Sequence, residues 1–122
     1  MIYKPLEPIS LEEAREQLKN GSEEELSLLS LRIGEHCEYW IEAQDICLKL
    51  MEHENPAIRA NAALGLAYIA RNHRKLDKRL VKPYLLKELR ENRAYNWRIR
   101  DAISDINIFL KWNLAGKHDI DC

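Results

Sequence analysis

From Ala60 to Ala70 the chain reads ANAALGLAYIA, a run without a single charge in a sequence where 32% of residues are charged. The run is too short to span a bilayer. It holds three of the features that disfavour a strand, namely alanine, glycine and asparagine. As a helix it is apolar or small on every side, so neighbours must pack against it from several directions. No other segment shows sustained strand alternation between turn signals, and 4 Gly and 4 Pro leave little material for the turns of an all-β fold. The expected fold is therefore all-α, an α-α superhelix of about six antiparallel helices, in one domain over residues 1–122.

The flanking sequence supplies those helices. Residues 1–9 are expected to be extended, because Pro5 and Pro8 do not suit a helix interior. Ser10 with Glu13, and Ser22 with Glu25, have the spacing of capping boxes, and Asn20-Gly21 separates the two helices they open. Gly34 is the next expected break. A third helix is expected from Glu38 to His53, with Trp40, Ala43, Cys47, Leu50 and Met51 on one side. Glu38, Glu42, Asp45, Lys49 and Glu52 form a charged stripe on the other. Asn55-Pro56 reads as a cap and first helical position for the central helix, Pro56 to about Asn72. Asp77 is the expected cap of a fifth helix that ends near Asn92 and that Pro83 should kink unless the helix begins late. The sixth starts near Asn96, turns Ile99, Ala102, Ile103, Ile106, Phe109 and Leu110 inward, and fades near Gly116. Residues 114–122 are expected to be a loose tail.

Two segments repeat. NPAIRANA at Asn55 and NWRIRDAI at Asn96 share Asn, Ile and Arg at an offset of 41 residues. Each follows a short-turn helix, and a period of this size is that of helical solenoids, whose units stack because one pair cannot bury its own apolar face. Arg59 and Arg100, equivalent in the repeat, are expected to tie neighbouring units.

These residues resemble the HEAT-repeat family over about residues 38–112. The likeness rests on the polar-Pro and Ile-Arg start of NPAIRANAALGL and NWRIRDAI, and on Pro83 inside LVKPYLLKEL. Trp97 stands where the first copy has Pro56, and residues 10–33 fit as a worn capping pair. The chain's size, its acidic front half and the stretch LGLAYIARNHRKLD also resemble small bacterial HEAT-like immunity proteins. These are similar to the immunity partners in contact-dependent growth inhibition and other polymorphic toxin systems. The resemblance implies a protein that binds the C-terminal domain of a cognate toxin, a nuclease in the expected case, and neutralises it by direct contact in the cytoplasm.

The residues themselves offer no catalytic set, and no cofactor or metal is expected. Asp101 and Asp105, one helical turn apart, read as a solvated face beside Arg98 and Arg100. His36 and Cys37 are adjacent on one backbone and do not meet as base and nucleophile. His118, Asp119, Asp121 and Cys122 lack the spacing of a designed metal site. His73 is expected to close the central helix. Cys37, Cys47 and Cys122 form an odd set without close pairing, consistent with reduced thiols. The start MIYKPLEPIS has no secretion-signal pattern. An enzymatic role of the kind some HEAT-like proteins play needs more repeats and an organised acidic site, so the expectation is a binding protein, not an enzyme.

Charge points to where a partner docks. Residues 1–55 carry a net −8 and residues 56–122 a net +7, which together give the −1 of the chain. Toxins that cut nucleic acid need basic clefts, and an acidic surface is steered to such a cleft. Glu35, Glu38, Tyr39, Glu42 and Asp45, beside Trp40, are the candidate partner-binding residues. The alternative is nucleic-acid binding through residues 71–93, with nine Lys/Arg against Asp77, Glu88 and Glu91. A pI of about 6.4 and the spread of these cations around their helix count against it. Oligomeric state is open at this level.

Overall fold

In the computed structural model, which describes residues 5–115, the central uncharged run lies in the longest of six helices. These are α1 (Leu11–Asn20), α2 (Glu23–His36), α3 (Trp40–Leu50), α4 (Pro56–His73), α5 (Lys78–Glu91) and α6 (Asn96–Leu110). The described residues include no strand.

Most helix starts follow from local chemistry. Ser22 and Glu25 form the full reciprocal box, at 3.0 and 3.1 Å. The first pair is only half a box. Ser10 Oγ accepts from the Glu13 amide, but the Glu13 carboxylate takes the Ser10 hydroxyl rather than its backbone N–H. Asn55 Oδ1 accepts from the Ala57 amide ahead of Pro56, and Asp77 accepts from Arg79 and Leu80. α5 runs unbroken through Pro83 from Lys78. The amide missing there would have bonded the Arg79 carbonyl near the start of the helix, and Pro83 is exposed.

α2, α4 and α6 lie side by side and run in the same direction. Asn61 of α4 donates to the Ser27 carbonyl of α2 and accepts from Arg98 of α6. Asn72 and His73 reach the Gly34 and Cys37 carbonyls further along, and Arg74 reaches Phe109. α1 and α3 form a second layer with α5, and α4 packs against α2, α3, α5 and α6. It buries nine residues, from Ile58 to Ala70. The C-terminal caps of α2, α4 and α6 are Cys37, Arg74 and Lys111, spaced by 37 residues. The spacing of the helix ends is thus shorter than the 41-residue motif offset, because Asn55 caps α4 whereas Asn96 is already inside α6, and because α6 has 15 residues where α4 has 18.

Several expectations are corrected. Gly34 does not end α2. It is buried mid-seam, where an added Cβ would sit 2.5 Å from the Gly65 carbonyl oxygen. The glycine permits backbone contact between α2 and α4 instead of breaking the helix. α3 is shorter than the expected Glu38–His53, running from Trp40 to Leu50, and Cys37 closes α2. α6 ends at Leu110, where Lys111 turns left-handed at φ 57°. The tail does not begin loose: Leu114 is buried, and its amide and carbonyl both bond Asn107 at 3.0 Å. His118, Asp119, Asp121 and Cys122 lie outside the described residues, as do residues 1–4. Residues 5–9 have no regular structure, as expected, and are strapped across α2. Arg32 donates to the Glu7 and Pro8 carbonyls at 2.9 Å, and His36 bonds the Leu6 carbonyl.

Candidate functional site

α3 buries one side and leaves the other open, and this puts most of the candidate residues on the surface. Ala43, Ile46, Cys47 and Leu50 are buried, whereas Ile41, Asp45 and Lys49 are exposed along the opposite side. Glu38 and Tyr39 stand in the turn before the helix, with Tyr39 59% exposed. Glu42 is half-buried beside them. Asp45 pairs with Lys49 at 3.1 Å on the surface, an i,i+4 pair that contributes only a few tenths of a kcal/mol, about 0.3–0.5. Ile41, 60% exposed, belongs to this strip and was not foreseen. An isolated isoleucine among acids carries no local signal of exposure.

Glu35 does not join the strip. It lies near the end of α2 and forms an ion pair with Arg71 of α4, whose guanidinium also stacks over Tyr68 at 4.8 Å. Its charge is spent on joining two helices. Trp40 is half-buried at the start of α3.

At its other end the acidic stripe meets α5. The Tyr84 hydroxyl donates to Glu52 at 3.3 Å. Burial, then the neighbouring Glu52 carboxylate, raises its pKa above the ordinary 10.0. Between this pair and the α3–α4 turn lies an open groove of about 660 Å³. Arg59 crosses it, bonding Glu88 at 2.9 Å and the His53 and Glu54 carbonyls at 2.9 and 2.8 Å. Glu88, 4% exposed, also accepts from Asn92, which donates in turn to the Pro56 carbonyl. Arg59 is the inter-unit tie expected of it. Arg100 is not: it bonds Asn96 on its own helix and is exposed. The sequence signal for Glu88 was present. It occupies an inward position after Val81 and Leu85, where an apolar residue would be the rule.

The remaining chemistry candidates stay apart. Asp101 and Asp105 are both exposed. His36 is used on the N-terminal strap, and the Cys37 sulfur accepts from the Tyr39 amide at 3.4 Å. Cys47 is enclosed, and burial, reinforced by Cys37, pushes its thiol pKa far above the ordinary 9.0. Among the described residues no three His, Cys, Asp or Glu side chains are grouped to hold a metal ion. No described helix is long and apolar enough to cross a membrane. His73 ends α4, as expected, and its ring bonds the Cys37 carbonyl at 2.9 Å.

The basic segment 71–93 divides. Arg71 is paired with Glu35. Arg74, Lys75, Lys78 and Arg79 gather where α4 ends and α5 begins. Lys87 and Arg90 belong to the far end of α5 and Arg93 follows its cap, close to the start of α4, where Asn92 meets Pro56. Arg79 and Lys87, the nearest members of the two groups, are eight residues apart on α5, roughly 12 Å of helix.

In comparisons with known proteins, no family model and no curated protein matches the sequence. A solved structure does match in fold: a chain in the crystal structure of a CDI complex from Cupriavidus taiwanensis LMG 19424. The TM-score is 0.77 and the identity 23%, over 89% of this chain and 97% of that one. At that identity the likeness is one of fold, and it extends over nearly the whole of both chains.

Proposed function

We propose that the chain is an immunity protein, one that binds a cognate toxin domain of a contact-dependent growth inhibition system and neutralises it by direct contact. The observation that carries this reading is the whole-length fold match to a chain of a CDI complex, CDI being the abbreviation of contact-dependent growth inhibition. The surface supports it. A surface strip of exposed Glu38, Tyr39, Ile41 and Asp45 with half-buried Glu42 combines acids with large apolar side chains, the mixture of interface core and rim. A nuclease toxin, with a basic phosphate-binding cleft, is the partner such a strip suits best. On this reading the protein acts in the cytoplasm of the producing cell, without chemistry of its own.

The test is direct. The domain encoded immediately upstream should co-purify with the protein and lose its toxicity when the two are co-expressed. Reversing Glu38, Glu42 and Asp45 to Lys should weaken binding by roughly tenfold or more and flatten the salt dependence of association. Unchanged affinity would remove this strip from the interface. Failure of the unaltered protein both to bind and to protect would overturn the immunity reading. Retardation of an oligonucleotide at moderate salt would favour the nucleic-acid alternative.

A further inference from the structure

The ends of α4 and α6 share an unusual feature. Both helices stop on a cationic residue in the left-handed region, Arg74 at φ 56° and Lys111 at φ 57°. Glycine is the usual occupant of such a cap, because any Cβ is disfavoured there. The two positions are 37 residues apart and equivalent in the packing. A positive charge does suit a helix C-terminus, but a lysine or arginine in the preceding turn would meet that need without the backbone cost. The side chains at the caps are therefore placed for what lies beyond the helices.

Beyond them is a hollow of about 360 Å³. Trp40, Leu76, Phe109 and Trp112 supply its apolar lining, and Arg74, Lys75 and Lys111 its charge. Arg74 stacks over Phe109 at 4.9 Å and Lys78 over Trp112 at 5.6 Å, so two exposed cations lie against aromatic rings. Residues 74–79 and 109–113 contain five Lys/Arg and one carboxylate, Asp77. That carboxylate is committed to capping α5. An apolar floor under a cationic rim fits an anionic group with an apolar neighbour. Trp40 links this hollow to the acidic strip, since it lines the one and is the first residue of the helix that carries the other.

We infer that this cationic-aromatic hollow is the second half of the partner interface, and that it takes an acidic, apolar-flanked segment of the same protein partner that the acidic strip engages. The inference rests on the immunity reading. An interface with opposite charge on its two sides fixes the partner's orientation, since a rotated partner would place like charges together. A nucleic acid satisfies the cationic half only, because its phosphates are repelled by the acidic strip.

The experiment measures binding of the upstream-encoded toxin domain to three variants of the full chain. These are Arg74→Gly with Lys111→Gly, Lys75→Glu with Lys111→Glu, and Glu38→Lys with Glu42→Lys. Thermal melts and a short single-stranded oligonucleotide serve as further probes. The glycine pair relaxes two caps and loses the Arg74–Phe109 contact, so it should melt within about 4 °C of the unaltered protein and bind the toxin domain roughly tenfold more weakly; the charge-reversed pair should lose more. Toxin affinity within about twofold of the unaltered protein for both hollow variants, with the Glu38/Glu42 variant weakened, would overturn the inference and leave the immunity reading standing. Absence of binding by the unaltered protein would overturn both. Oligonucleotide binding that the hollow variants abolish while toxin affinity stays unchanged would make the hollow a nucleic-acid site instead.

Discussion

Replacing Gly65 by Ala tests the α2–α4 seam, because helix propensity and packing predict opposite signs. In an exposed helix the change stabilises by about 0.8–1.0 kcal/mol. Here the new Cβ would lie 2.6 Å from the Ser30 carbonyl oxygen and 2.9 Å from both its carbon and the Ser30 Cβ. Two of these are backbone atoms and cannot rotate away. Restoring ordinary contact requires the helices to separate by about 0.8 Å, an overpacking strain worth about 1–3 kcal/mol. The separation also stretches the bond from Asn72 to the Gly34 carbonyl, now 3.1 Å, and that from Asn61 to the Ser27 carbonyl, now 2.7 Å. Weakening the two adds about 1 kcal/mol. Net destabilisation is about 2 kcal/mol, or a fall in Tm of roughly 8 °C for a chain of this size.

Gly34→Ala should behave alike, since its Cβ would meet the Gly65 oxygen at 2.5 Å and Tyr68 Cβ at 3.1 Å. The two substitutions strain one seam, so the double variant should cost less than the sum, by about 1 kcal/mol. Thermal melts by circular dichroism and urea midpoints at constant m-value measure all three. A rise in Tm for either single variant would refute the claim that α2 and α4 are in backbone contact.

Two further outcomes follow from buried groups. Arg59→Met leaves Glu88 enclosed without its cation and should cost about 3 kcal/mol in urea unfolding, whereas Arg59→Met with Glu88→Leu should recover most of that; equal losses in both would show that the ion pair is not what holds α5 to the α3–α4 turn. The raised pKa of Cys47 gives stability that is fully present below the unfolded thiol value, 9.0, and lost as pH rises above it, because only the unfolded chain then releases the proton. Stability should fall more steeply above pH 9 than in Cys47→Ala, by about 1.4 kcal/mol per pH unit, and identical slopes would refute the burial argument.

What the sequence made legible was what local chemistry decides. Ser22 with Glu25, Asn55-Pro56 and Asp77 each announced a helix start, because a cap is made within three residues. The uncharged run announced the central helix, because burial on all sides leaves no room for charge. What failed depended on a distant partner. Gly34 carries the same local signal as a helix-ending glycine, and only Gly65 distinguishes the two cases. Glu35 read as part of an acidic surface because Arg71, 36 positions later, is invisible to a local pattern. The motif offset of 41 residues matches the helix starts to within one residue, whereas the helix ends, at Cys37, Arg74 and Lys111, are spaced by 37. Of the candidate site, Glu38, Tyr39, Glu42 and Asp45 reached one strip, since one short helix and its preceding turn carry them all.

The stacking order gives the charge asymmetry its consequence. In a fold where distant segments interleave, a −8 front half and a +7 back half would be mixed across the surface. Here successive helix pairs lie side by side, so position in the chain becomes position along the stack, and the molecule keeps an acidic and a basic end. The ends of α2, α4 and α6 sharpen that division: Arg74 and Lys111 cap α4 and α6, while the equivalent cap of α2 is the uncharged Cys37. α3 lies where the two regions meet, with acids along its outer side and Trp40 in the cationic hollow. A partner that spans this boundary is oriented by long-range fields before contact and by local chemistry after it. On the proposed immunity reading, selection of one protein surface among many then comes from the order of the helices as much as from any single side chain.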